Sequence, residues 1–450
     1  MKILVCVKVC KGELNPFDAS ALECALTLSN DVTVVSMGPE STKDILLPLT
    51  RIGAKVVLIS DKLYAGSDTL ATSYILSKAA EHLGYDLIVC GKQSIDGDTA
   101  QVGPMLSRMS GCNLAANVLK AQICDNRLKA ETRSGQQILD FPALITVERS
   151  YVLRFPGIFS KLGSVDIIDN SVLKCDEKRC GLSGSPTRVL KTFQNERGKR
   201  HCKFIDISSL DELITQLSET ETVSENSASS GEKLSCVWAV GKEVFAEAEK
   251  IAEKVILIEN DDPLYIAKRA KEENPEVILW NADIIGRKNA PITAAELQTG
   301  LCADCTQLDV EKGELIMYRP ASGGSLYAKI KCLTKPVMAT VRTKTESSDI
   351  IVSGGKGVGD NFEKLKKLAE KYGASLCASR GLVDMGKAPY EMQVGLTGKT
   401  VSPKIYIAVG ISGAVHHTCA IEGADYVIAI NPDKDARIFE YADYGILEEI

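Results

Sequence analysis

The chain has 450 residues, 45% of them apolar and 25% charged, with a formal net charge of −6. This is the composition of a globular protein with material for about three domains. The acidic balance and the lack of a basic stripe exclude a nucleic-acid surface. No apolar run approaches the roughly 20 residues of a membrane span.

The 15 cysteines are scattered, many in apolar runs, such as Cys6, Cys90 and Cys332. They read as buried free thiols of a reducing cytoplasm. Lys8 and Lys11 interrupt the apolar start, which reads as a first strand and not a signal peptide.

Short β-branched runs at 3–9, 32–37, 56–60 and 87–90 predict buried strands, with a helix over 69–82 and another that Asp18 would cap. Strands alternating with helices imply a parallel sheet covered on both faces. A strand follows at 143–147. Beyond it, 151–203 looks irregular and 211–217 helical. The Ser, Glu and Thr of 218–233 have almost nothing to bury and read as a linker.

After the linker the pattern restarts, with strands at 237–240, 255–258 and 277–280 and a helix at 263–272. Leu87–Cys90 with its glycine loop is echoed by Val277–Trp280 with Gly286, as two related α/β domains would be. The last segment predicts strands at 349–352, 405–409 and 426–430. A helix between the first two would be capped by Asp360 with Glu363.

Four loops here, 353–359, 378–381, 392–400 and 410–417, supply glycines, hydroxyls and the cations Lys356, Arg380 and Lys399. Such turns at strand ends suit a pyrophosphate. A P-loop is excluded because Gln393 stands where glycine is needed, and 355–359 lacks the dinucleotide spacing. His416 and His417 are adjacent and would point opposite ways on an extended segment, so no metal is expected there.

The strings Met392–Lys399 and Tyr406–Ala414 closely resemble the α subunit of electron-transfer flavoproteins. Asn15–Asp18 and Gly91–Pro104 resemble the β subunit. The resemblance covers nearly the whole chain, in the order β then α. It implies an α/β fold: two related parallel-sheet domains of the adenine-nucleotide-hydrolase type and a carboxyl-terminal doubly wound FAD-binding domain. The expected division is a β-like domain at 1–185, an arm and linker at 186–234, a shortened α-like domain at 235–345 and the FAD domain at 346–450.

Carried over, the FAD site comprises Lys356, Ser379, Arg380, Gln393, Val394, Gly395, Thr397, Gly398, Ser412, Gly413, Ala414, His417, Asn431 and Glu449. Arg380 would lie over the flavin, Thr397 would bond its N5, and His417 would sit near its pyrimidine end. The first domain would hold AMP or a second FAD through Cys6, Asn15, Asp18, Met37, Gly91, Gln93, Asp96, Gly97, Asp98, Thr99, Ala100, Gln101 and Val102. A second FAD would allow hydride capture from NADH and electron bifurcation. The resemblance further implies an electron carrier rather than a substrate-transforming enzyme. A dehydrogenase of the acyl-CoA type, or another redox protein, would dock through Ser164–Gly184. The hinge is expected at Thr343–Asp349. An adenine-nucleotide scaffold without redox work is the alternative.

Overall fold

The computed structural model describes residues 1–194, 200–220, 231–322, 326–343, 349–395 and 398–449. The expected linker 218–233, the hinge 343–349 and Thr397 therefore lie largely or wholly outside the described residues. The chain divides into two compact units, 1–191 with 232–322 and 329–341, and 192–231 with 323–328 and 342–450.

The first unit holds two mainly parallel sheets. One has nine strands in the order Val165–Ile168, Lys55–Ile59, Asp31–Met37, Lys2–Val7, Leu87–Gly91, Ala143–Val147, Asn113–Cys124, Arg127–Thr132, Gly135–Leu139. The first seven run parallel, and the last two form an antiparallel extension. Alternate residues of Lys2–Val7 serve opposite faces. Ile3, Val5 and Val7 join one apolar cluster, and Leu4 and Cys6 join the other. Burial on both faces is why these strands read as continuous apolar runs.

The second sheet is parallel, in the order Ala252–Ile258, Leu234–Val240, Val277–Asn281, Val337–Val341, Leu301–Cys305. Leu87–Gly91 and Val277–Asn281 hold equivalent places beside the first strand of each sheet, which accounts for the internal echo. The helices Val102–Ser110 and Ile284–Leu297 join the two halves of this unit. Met105 and Leu70 pack with Trp238, Ala290 and Ala294, and Arg108 bonds Glu296 at 2.6 Å.

The second unit is built on a parallel seven-stranded sheet, in the order Lys203–Phe204, Tyr444–Ile446, Tyr426–Ile430, Ile405–Val409, Ile350–Gly354, Ser375–Ser379, Gln393–Val394. The helix Leu210–Glu219 covers one face with Leu210, Leu213, Ile214 and Leu217. The α/β fold expected from the sequence is therefore the fold observed.

Three local expectations are corrected. Asn15, not Asp18, is the residue before the helix Pro16–Leu28, and Asp18 is buried within it. Asn361 precedes the helix Phe362–Lys371, and no side chain caps it, so the Asp360–Glu363 box does not form. The stretch 164–184 is not wholly irregular. Val165–Ile168 completes a sheet edge, and Leu173, Cys175 and Cys180 are buried beside it.

Candidate functional site

Crevices lie at the carboxyl ends of parallel strands, where chain order reverses and ligands enter open α/β sheets. In the second unit the chain runs from Ile350–Gly354 outward to Ser375–Ser379 and Gln393–Val394. It then returns to Ile405–Val409 on the other side. The crevice opens between Gly354 and Val409. Here Gly355 N–H donates to Val409 O at 2.7 Å, and Gly357 N–H to Gly410 O at 3.0 Å. A Cβ on Gly355 would stand 2.1 Å from Gly410 O, so only glycine lets these two loops meet.

Every described residue expected at the FAD site lies at the end of a strand of this sheet or follows one. Lys356 is exposed after the first strand. Ser379 ends the next and Arg380 follows it, half-buried and 3.2 Å from Asp384. Gln393, Val394 and Gly395 are buried in a tight turn that Gly398 N–H closes onto Gly395 O at 3.0 Å. Ser412 and Ala414 are exposed, Gly413 is buried between them, and Glu449 is exposed beyond Tyr444–Ile446. Glycine turns, a cation at two adjacent strand ends and the hydroxyls of Ser379 and Ser412 make a donor set that fits an anionic dinucleotide.

Two of these residues face the protein more than a ligand. His417 is buried, with Nδ1 3.1 Å from Val394 O and Nε2 2.9 Å from the Tyr406 hydroxyl. A carbonyl only accepts, so Nδ1 carries the proton and Nε2 accepts from tyrosine. Burial lowers this imidazole to about 4, against the opposing bond to Val394. Asn431 donates to Ile411 O at 2.9 Å and accepts from Asp433 N–H at 3.0 Å. Both residues shape the loops that border the crevice.

The first unit carries a cavity of about 320 Å³ at the ends of Lys2–Val7, Asp31–Met37 and Leu87–Gly91. Of the expected residues, Cys6, Asp18, Met37, Gly91, Gln93, Gly97, Thr99, Ala100, Gln101 and Val102 line it. Asn15, Asp96 and Asp98 are not in the lining; they hold the loop above it. Asn15 donates to Gln93 O at 2.9 Å, Asp96 pairs with Lys8 at 2.7 Å, and Asp98 accepts from Gln93 at 3.0 Å. Burial works to raise the Asp96 carboxyl, but bonds from Lys8, Ser94 and the Gly97 N–H outweigh it and lower it to about 2.

Asp18 accepts from Lys8 N–H at 2.7 Å, and a Cβ on Gly91 would fall 2.2 Å from its Oδ1. Burial pushes this carboxyl up to about 7 despite its hydrogen bonds. The sequence reading missed Lys8, Lys92 and Ser67–Thr69, which also line the cavity. The Asp68 cap of the helix Thr69–Leu83 was a legible signal for the last group. Lys92 bonds Glu148 at 2.8 Å, both buried, a pairing no local pattern announces.

The cavity loop is braced by the second half of its own unit. Arg319 donates to Asp98 O at 3.1 Å, and Gln101 to Leu301 O at 3.0 Å. That second half has its own cavity of about 300 Å³ at the corresponding strand ends, but Glu243, Glu259, Asp261 and Asp283 line it. Four carboxylates with only Lys242 beside them disfavour a phosphate. Among the described residues, no three His, Cys, Asp or Glu side chains are grouped to hold a metal, and no helix is long and apolar enough to cross a membrane.

Comparison with known proteins agrees with this layout. The electron transfer flavoprotein domain matches residues 3–152 and 226–355. The electron transfer flavoprotein FAD-binding domain matches 344–422. Electron transfer flavoprotein subunit alpha of Thermoanaerobacterium thermosaccharolyticum is 42% identical over 232 residues, 41% of this chain and 70% of that protein. Protein FixB of Clostridium saccharobutylicum is 38% identical over 259 residues, 45% of this chain and 78% of that protein. Electron transfer flavoprotein subunit alpha of Clostridium acetobutylicum is 38% identical over 235 residues, 41% of this chain and 70% of that protein. With one domain matched on both sides of the linker and the crevice of the second unit falling inside the FAD-binding match, the chain belongs to the electron transfer flavoprotein family and carries its FAD in the carboxyl-terminal region.

Proposed function

We propose that the chain joins a β-like half to an α-like half and serves as an electron carrier in one polypeptide. The supporting observation is the pairing of two sheets of matching strand order, of which only the first has a cavity free of a carboxylate cluster. In this reading the first cavity holds an adenine nucleotide, AMP or a second FAD, and the second unit holds the redox FAD. When bound, that FAD supplies one- and two-electron chemistry.

The chain's own part is binding and tuning. Lys356 and Arg380 offset negative charge at the crevice, and the Ser412–Ala414 turn borders it. Gln393–Gly395 with Gly398 forms a second wall, and Thr397 is the hydroxyl assigned to flavin N5. Tyr406 and His417 keep that wall in register. Hydride capture from NADH, and bifurcation, require the second flavin.

Partner docking is better supported at 152–162 than at Ser164–Gly184. Val152, Phe155, Ile158 and Phe159 are 88%, 93%, 90% and 95% exposed, and Arg154 holds the segment's base to Glu23 at 2.8 Å. Exposed apolar anchors on a pinned loop suit a flavin dehydrogenase or other redox protein as partner. The test is to denature the purified chain and count the released nucleotides. Flavin absorbance with one FAD plus one AMP, or with two FAD, supports the carrier. A colourless protein releasing only AMP would instead favour the scaffold.

A further inference from the structure

Cys6 and Cys90 are direct partners in parallel register on neighbouring strands. Both belong to the same face of the sheet as Met37, and all three line the nucleotide cavity. Neighbouring strands of a sheet lie about 4.8 Å apart. A disulfide needs its Cβ atoms at roughly 3.8 Å, so an atom between the sulfurs suits this pair better than a direct S–S bond.

We propose that Cys6 and Cys90, with the Met37 thioether, form a site for a soft monovalent cation such as Cu(I), which excludes the nucleotide from the cavity. Two thiols and a thioether select soft cations and offer little to Mg²⁺ or Ca²⁺. On uptake each thiol releases one proton to solvent, two Cu–thiolate bonds and one Cu–thioether bond form, and no electron moves. The exclusion of nucleotide rests on the nucleotide reading of this cavity; the cation site itself does not.

The test uses the full chain, isolated anaerobically and titrated with Cu(I) buffered by bicinchoninate. Bound copper and released nucleotide are both measured. One tight equivalent is expected, lost in Cys6→Ser and Cys90→Ser and weakened about tenfold in Met37→Leu, with one nucleotide released per copper. Cys6 is only half-buried, so Cys6→Ser keeps the test informative should Cys90→Ser fail to fold. Retention of the same tight equivalent in a folded Cys6→Ser protein would overturn the site. Copper bound with the nucleotide still in place would overturn the exclusion. A chain isolated without any nucleotide for the first cavity would sink the nucleotide reading, and the copper count would still decide the thiol site.

Discussion

The Tyr406 hydroxyl stands 2.9 Å from Nε2 of His417, and the opposite ring nitrogen is spent on Val394 O. The imidazole is thus a neutral strut between the strand Ile405–Val409 and the Gln393–Val394 wall. Its ordinary value is 6.5 and burial lowers it to about 4. A depressed group contributes stability that is present above 6.5 and is lost as pH falls through 4. Urea unfolding of the wild type from pH 7 to pH 4 is expected to lose on the order of 3 kcal/mol through this residue. His417→Gln should be less stable at pH 7 and have a shallower acid slope. An unchanged slope would contradict the assignment.

Asp18 works in the opposite direction. Its carboxyl is raised from 3.8 to about 7, chiefly by burial. Its contribution is present below 3.8 and lost as pH rises through 7. Asp18→Asn retains an acceptor for the Lys8 N–H and removes the titration. The variant is expected to be steadier than the wild type between pH 4 and 7, as read by thermal melts across that range. Equal pH dependence in the two proteins would count against a proton on Asp18.

Gly355→Ala tests the crevice of the second unit. The added methyl would meet Gly410 O at 2.1 Å, and backbone cannot yield as a flexible side chain can. The loops must part, so FAD content after purification should fall at least tenfold, with a melting point lower by several degrees. Gly386→Ala is a useful companion. Its backbone has φ +70° but nothing lies within 4 Å of the new Cβ, so it should cost only about 1 kcal/mol and leave FAD content unchanged.

Arg319 reaches from the second half of the first unit to hold Asp98 O beside the cavity of that unit. Arg319→Met leaves that buried carbonyl short of a donor, a loss of about 1–3 kcal/mol. The nucleotide proposed for the first cavity should dissociate about tenfold faster while the FAD of the second unit stays bound. Arg319→Lys should recover part of the difference. Loss of both nucleotides together would point to general unfolding.

Removing 164–184 would take out Leu173, Cys175 and Cys180 from the core, so deletion there reads folding and not docking. Phe155→Ser with Phe159→Ser leaves the core intact. With an acyl-CoA dehydrogenase reduced by its substrate as the donor, flavin reduction in the double variant should slow at least tenfold with FAD content unchanged. Equal rates would move the docking face elsewhere.

The α/β class was legible because buried parallel strands are continuous apolar runs of four to seven residues, as at Ile3–Val7, Leu87–Cys90 and Ile405–Val409. The strands from Asn113 to Leu139 were not legible, because their exposed faces break that signal. The glycine loops and Arg380 could be named because close backbone approach and phosphate chemistry restrict residue type locally. Tertiary structure alone decided that Gly355 meets Gly410, that Asp18 lies under Gly91, and that Lys92 pairs with Glu148. Each joins residues distant in the chain, and local composition carries no record of which strand ends the topology will bring together.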